Sequence, residues 1–82
     1  MDKNNVKLTI KTYLETETKK TIPSTSTNLI SGGFLDSFMI IKLITFIESH
    51  FQLNVDIEST SEESFSTIDT LAEQVVIWKE KS

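Results

Sequence analysis

Asp36-Ser37-Phe38-Met39-Ile40-Ile41-Lys42-Leu43-Ile44-Thr45-Phe46-Ile47-Glu48-Ser49-His50-Phe51 is the stretch on which the fold turns. Ile40, Leu43, Ile44, Ile47 and Phe51 recur at intervals of three and four, the spacing that aligns side chains on one face of a helix. A central amphipathic helix is therefore predicted, with Asp36 as its N-cap. A carboxylate at that position accepts from the free amides of the first turn and complements the positive end of the helix dipole. At about 100° per residue, Ser37, Phe38, Ile41, Lys42, Thr45, Glu48 and Ser49 fall on the opposite, outward arc.

Toward the C-terminus, Ile68, Leu71, Val75 and Trp78 predict a last helix that follows Ser66 or Thr67. Lys79 and Lys81 suit its negative C-terminal end. Thr60 with Glu63 three residues on has the capping-box pattern and predicts a short helix anchored inward by Phe65. Toward the N-terminus the segment from Val6 to Leu14 reads two ways. Val6, Leu8 and Ile10 alternate as in a strand, whereas Val6, Ile10, Tyr13 and Leu14 match a helix that Asp2, Asn4 or Asn5 would cap. Helix is the preferred reading. From Thr18 to Gly33 the chain is rich in Thr and Ser and holds Pro23, Gly32 and Gly33, so it predicts one long ordered connection with Ile22, Leu29 and Ile30 as apolar pegs.

The expected fold is all-α: a small four-helix bundle, three main helices plus one short one, with a long first loop. Its 82 residues, 38% of them hydrophobic, supply one core, so residues 1–82 are read as a single domain with no internal repeat. The net charge of −4 disfavours polyanions, and all eight basic residues are Lys, so the bidentate Arg of nucleic-acid readers is missing. Between Lys42 and Lys79 lie Glu48, Asp56, Glu58, Glu62, Glu63, Asp69 and Glu73 with no Lys, and a basic protein partner would be attracted to that half. With no Cys and one His, neither a disulfide framework nor a zinc centre of the usual kind is expected. Met1-Asp2-Lys3-Asn4-Asn5 lacks the basic-then-apolar layout of a signal peptide, and no apolar run approaches the roughly 20 residues of a membrane span. A cytoplasmic protein that engages no membrane is the expectation.

Chemistry concentrates in Leu29-Ile30-Ser31-Gly32-Gly33-Phe34-Leu35-Asp36-Ser37-Phe38, a glycine-bearing loop that delivers a serine to the first turn of the main helix. A phosphate ester on the Ser37 hydroxyl would sit near unpaired amides and the positive dipole end, a placement worth about 0.3–1 kcal/mol when exposed. A hydrolytic nucleophile is a poor reading of the same residue. The G-x-S-x-G elbow is absent, and His50 stands on the same helix about 20 Å away at about 1.5 Å per residue, beyond hydrogen-bond reach. Helix capping is the ordinary role of an Asp-Ser pair in this position, so the surrounding pattern has to carry anything more.

Gly33-Phe34-Leu35-Asp36-Ser37-Phe38 resembles the attachment site of the acyl carrier and peptidyl carrier protein family, in which a loop ends in Gly and two apolar residues precede Asp-Ser and a further apolar residue at the head of the second helix. The resemblance covers nearly the whole chain, since length, acidic balance, long first loop, short third helix after Val55-Asp56-Ile57 and closing helix fall where the family has them. It implies that a phosphopantetheinyl transferase moves a 4'-phosphopantetheine arm from coenzyme A to Ser37, with Asp36 as part of the motif. The arm's thiol then holds an acyl or aminoacyl group as a thioester. It further implies a monomeric, non-catalytic carrier that works with a loading enzyme and a downstream acyltransferase, synthase or condensation enzyme.

In that family the second helix meets partner enzymes through acidic residues around a small apolar patch. By this comparison Phe38 and Ile41 correspond to the patch, Thr45 lies on the same arc, and Glu48 corresponds to a retained acid. Lys42 departs from the pattern. Carriers of fatty-acid synthesis tend to have an acid in this region, so a more apolar interface is expected, with a place in secondary metabolism or in non-ribosomal peptide or polyketide-type biosynthesis. The alternative expectation is an unmodified helical interaction module that keeps a carrier-like fold.

Overall fold

Leu8 decides between the two readings of the first segment. As a strand the alternation would turn Leu8 inward with Val6 and Ile10. In the computed structural model, which describes all residues Met1–Ser82, Leu8 is 62% exposed while Val6, Ile10 and Leu14 are buried. These three form the inner stripe of α1, Lys3–Thr18, which Asp2 caps by accepting from the Asn4 amide at 2.9 Å. The helix continues to Thr18, beyond the periodic apolar residues, and ends at Lys19 in the left-handed conformation.

Three α-helices and one short 3-10 turn make an all-helical fold without strands: α1, α2 (Ser37–Phe51), the 3-10 turn Glu62–Phe65, and α3 (Ile68–Lys81). Within α2, Leu43 and Ile47 are fully buried, and Ile40, Ile44 and Phe51 pack against the core from partly buried positions. Within α3 the predicted stripe Ile68, Leu71, Val75 and Trp78 is buried together with Ala72. Phe34, Leu35, Leu53 and Phe65 complete the core, and no polar or charged residue is buried in it. Each fully buried Leu, Ile or Phe contributes about 1.5–3 kcal/mol relative to exposure, so the core is the main source of stability.

Three expectations need correction. The short helix is a single 3-10 turn, and its N-cap is Ser61 with no side-chain capping bond. Thr60 is engaged elsewhere, because its hydroxyl donates to the Asp56 carbonyl and accepts from the Trp78 indole N–H at 3.3 Å. The reciprocal capping box belongs instead to Thr67 and Thr70, at the start of α3. Finally, of the three loop pegs Ile22 and Leu29 are buried, whereas Ile30 is exposed.

The long connection is tied down along its length. The Ile22 amide donates to the Glu15 carboxylate at 2.7 Å. The Leu29 amide donates to the Ser66 carbonyl at 2.7 Å, and the Asp69 amide to the Thr25 carbonyl at 3.0 Å. The Asp69 side chain also pairs with Lys7 on α1 at 3.1 Å. The Thr25 hydroxyl first, and Lys7 second, hold its carboxyl below the ordinary carboxylate range. A depressed native pKa means that the unfolded chain takes up the proton at higher pH than the native one. Its stabilisation is then complete above the ordinary carboxylate range and is lost as pH falls through it toward the lowered value. Thermal midpoints measured from neutral pH down to about pH 3 should therefore drop more for the wild type than for Asp69→Asn.

Candidate functional site

Two glycines shape the loop that ends at Ser37. A Cβ on Gly32 would lie 2.6 Å from the Asn28 carbonyl oxygen, a contact that backbone cannot relieve. Gly33 has φ +81°, in the left-handed region that favours glycine. Asn28 organises the turn from the other side, its side-chain oxygen accepting from the Ile30 and Ser31 amides at 3.0 and 2.8 Å. The Leu29 carbonyl accepts from both the Phe34 and Leu35 amides, at 2.8 and 3.0 Å, so the chain folds back over a buried Leu29. Phe34 and Leu35 then anchor in the core. The next two residues, Asp36 and Ser37, emerge at the surface at the start of α2.

Asp36 is extended and its carboxylate accepts from the Met39 amide at 2.8 Å, as the N-cap reading requires. The first intrahelical backbone bond runs from the Ile40 amide to the Asp36 carbonyl. The amides of Ser37 and Phe38, ahead of that bond, belong to the set a helix start leaves without intrahelical acceptors. Ser37 is the first helical residue and is exposed. A phosphate bonded to its hydroxyl would therefore stand beside free N–H donors at the positive end of α2, and the residues present fit such a group. Asp36→Ala should lower stability by about 1 kcal/mol, the usual value of an N-cap, read from the urea midpoint.

The outward arc of α2 is distributed unevenly. Phe38 and Ile41 stand 69% and 64% exposed. Lys42 reaches back so that its ammonium lies 5.6 Å from the Phe38 ring centroid, and it pairs with Glu17 at the end of α1. The Glu17 hydrogen bond raises the Lys42 pKa. The Thr45 hydroxyl donates to the Ile41 carbonyl of its own helix at 3.1 Å. Glu48 turns toward the chain that follows α2, where its carboxylate accepts from the Val55 amide at 3.0 Å. The arc thus offers two exposed apolar side chains, one ion-paired cation and one carboxylate that accepts from a backbone amide and has no ion-pair partner.

Sequence reasoning missed the partners that α1 contributes. Glu17 is 25 residues from Lys42, and Tyr13, whose hydroxyl donates to the Lys42 carbonyl at 3.4 Å, is 29 away. Burial first, and the nearby Glu17 second, raise the Tyr13 pKa. Tyr13 also stacks on Phe46 with ring centroids 4.1 Å apart, and Phe46 stacks on His50 at 5.1 Å. No local pattern in the sequence announces these contacts, since they depend on how two helices meet. Lys20, likewise unpredicted, donates to the Gly33 carbonyl at 3.4 Å and lies over Phe34.

His50 closes α2, in its last turn, and takes no part in the surroundings of Ser37. No group of His, Cys, Asp and Glu able to hold a metal ion is present, and no helix is long and apolar enough to cross a membrane. Comparisons with protein-family models and with curated proteins find no match to this chain.

Proposed function

We propose that this chain is a carrier protein bearing a 4'-phosphopantetheine arm on Ser37, on which an acyl or aminoacyl group travels as a thioester between partner enzymes. The observation that carries this reading is the local architecture: an ordered glycine loop, two buried apolar residues, a capping Asp36 and an exposed Ser37 at the head of the central helix. Three helices and a 3-10 turn are read as the four-element carrier bundle. The arm would supply a thiol, which a chain without Cys cannot provide itself.

Attachment forms a bond between the Ser37 Oγ and the phosphorus of the phosphopantetheinyl group and breaks the pyrophosphate linkage of coenzyme A. The adenosine 3',5'-bisphosphate leaves with the electron pair, and the serine proton passes to a base on the transferase. The carrier contributes an accessible hydroxyl and the amides of the helix start. It performs no catalysis of its own. A loading enzyme and a downstream acyltransferase, synthase or condensation enzyme complete the cycle. The donor is a cytoplasmic metabolite, and the carrier is read as cytoplasmic and monomeric, with a role in secondary metabolism or related non-ribosomal peptide or polyketide-type biosynthesis.

The test is the intact mass of the chain after incubation with coenzyme A and a broad-specificity phosphopantetheinyl transferase. One added phosphopantetheine on the wild type supports the carrier. An unchanged mass favours an unmodified helical interaction module that uses the same helix.

A further inference from the structure

Phe34 and Phe38, the two aromatic residues on either side of Ser37, each carry a lysine ammonium over the ring. Lys20 lies 6.0 Å from the Phe34 centroid and Lys42 lies 5.6 Å from that of Phe38. The two cations are not equivalent. Lys42 is ion-paired with Glu17. Lys20, the second residue after α1, has no carboxylate within ion-pair distance, and its ammonium donates to the Gly33 carbonyl at 3.4 Å. That is long for an N–H···O bond, ordinarily about 2.7–3.2 Å, so Lys20 rests on the loop without a strong acceptor.

Electrostatics give an unpaired ammonium here a consequence. A phosphodiester on Ser37 would add one negative charge to a chain whose net charge is already −4, and would place it next to the Asp36 carboxylate. The amides at the start of α2 offset part of that repulsion. Lys20 is the one cation without an ion-pair partner that touches the loop leading to Ser37. Gly33 and Ser37 are four residues apart, a span of at most about 14 Å. The span is shorter here, because the Phe34 and Leu35 amides both turn to the Leu29 carbonyl. A lysine head swings on a flexible four-carbon stem and binds phosphate as a point charge. A charged phosphate oxygen is a stronger acceptor for it than a carbonyl held at long range.

We infer that Lys20 is the counter-ion of the phosphodiester on Ser37, and that its ammonium leaves the Gly33 carbonyl for a phosphate oxygen once the arm is attached. The inference rests on the carrier reading above. The exchange breaks one hydrogen bond and forms another, with no covalent change. It gives the loop two states, with the lysine on the carbonyl in the unmodified chain and on the phosphate in the modified one. Because Lys20 is exposed, the attraction is screened by salt, with a reach of about 8 Å at physiological ionic strength.

The experiment is urea unfolding of the unmodified and fully modified forms of the wild type, Lys20→Met, Lys20→Arg and, as a control, Lys19→Met. Coenzyme A and a broad-specificity phosphopantetheinyl transferase attach the arm, and intact mass confirms conversion. The quantity read is the unfolding equilibrium constant of the unmodified form divided by that of the modified form of the same chain. A purely structural role of Lys20, present in both forms, cancels in this ratio. Lys20→Met should lower the ratio about two- to fivefold, the usual range of an exposed charge pair. Lys20→Arg should restore it, and Lys19→Met should leave it at the wild-type value. In about 1 M salt, where the Debye length is about 3 Å, the wild-type ratio should fall to that of Lys20→Met. An equal ratio in wild type and Lys20→Met, no rescue by Lys20→Arg, an equal loss in Lys19→Met, or a ratio that ignores salt would each overturn the inference. The carrier reading would survive all four, since the arm would have been attached. A Lys20→Met chain left unmodified under conditions that convert the wild type would also overturn it, because the lysine would then serve the complex with the transferase. A folded wild type that takes no arm would remove the carrier reading itself, and this inference with it.

Discussion

Ser37→Ala gains no mass on incubation with coenzyme A and a phosphopantetheinyl transferase, while its far-UV circular dichroism and thermal midpoint stay close to those of the wild type. The difference in modification is all or none, because the hydroxyl removed is the only atom at that position able to form the phosphoester. The fold should tolerate the change. Ser37 is exposed, and the helix start depends on the Asp36 carboxylate and the Met39 amide, neither of which is touched. Surface substitutions that disturb no cap or network usually stay within about 0.5 kcal/mol. A large loss of helicity would mean that Ser37 serves the fold, and mass gained by the variant would mean that the arm is attached elsewhere.

Leu29→Ala is expected to lower stability strongly. Leu29 is fully buried, and Leu→Ala changes at such positions cost about 2–5 kcal/mol through lost transfer energy and the cavity left behind. Small domains have only about 5–15 kcal/mol in total. The backbone of Leu29 makes the loss local as well as global, since its amide reaches Ser66 and its carbonyl takes the Phe34 and Leu35 amides. Urea unfolding should show a much lower midpoint, and transfer to Ser37 should slow under conditions where the chain is still folded. A midpoint within about 0.5 kcal/mol of the wild type would show that Leu29 is not the pin that the geometry makes it.

Much of this fold is legible because the inner faces of α2 and α3 are written in Ile, Leu, Val and Trp at helical intervals that no strand reproduces. The first segment is ambiguous for a physical reason. Val6 and Ile10 satisfy both periods, and only the environment of Leu8, set by the rest of the molecule, separates them. Ile30 shows the limit for loops, where hydrophobicity alone does not decide which way a side chain turns. Leu29 is held inward by its bonds to Ser66, Phe34 and Leu35, and its neighbour is left outside. The motif Gly33-Phe34-Leu35-Asp36-Ser37-Phe38 is local and is readable residue by residue. The pairing of Lys42 with Glu17 and the use of Glu48 by Val55 belong to tertiary packing, and the spacing on α2 cannot supply them.

The bonds from Leu29 to Ser66 and from Asp69 to Thr25 have a mechanical meaning for a group that the proposed carrier would hold on Ser37. They divide a long connection into short spans fastened to the beginning of α3, so the base of α2 has little freedom of its own. A group attached there would be swung by rotations of its own tether about a fixed pivot. Its working radius would be set by the length of that tether, and the protein would supply the direction from which it starts.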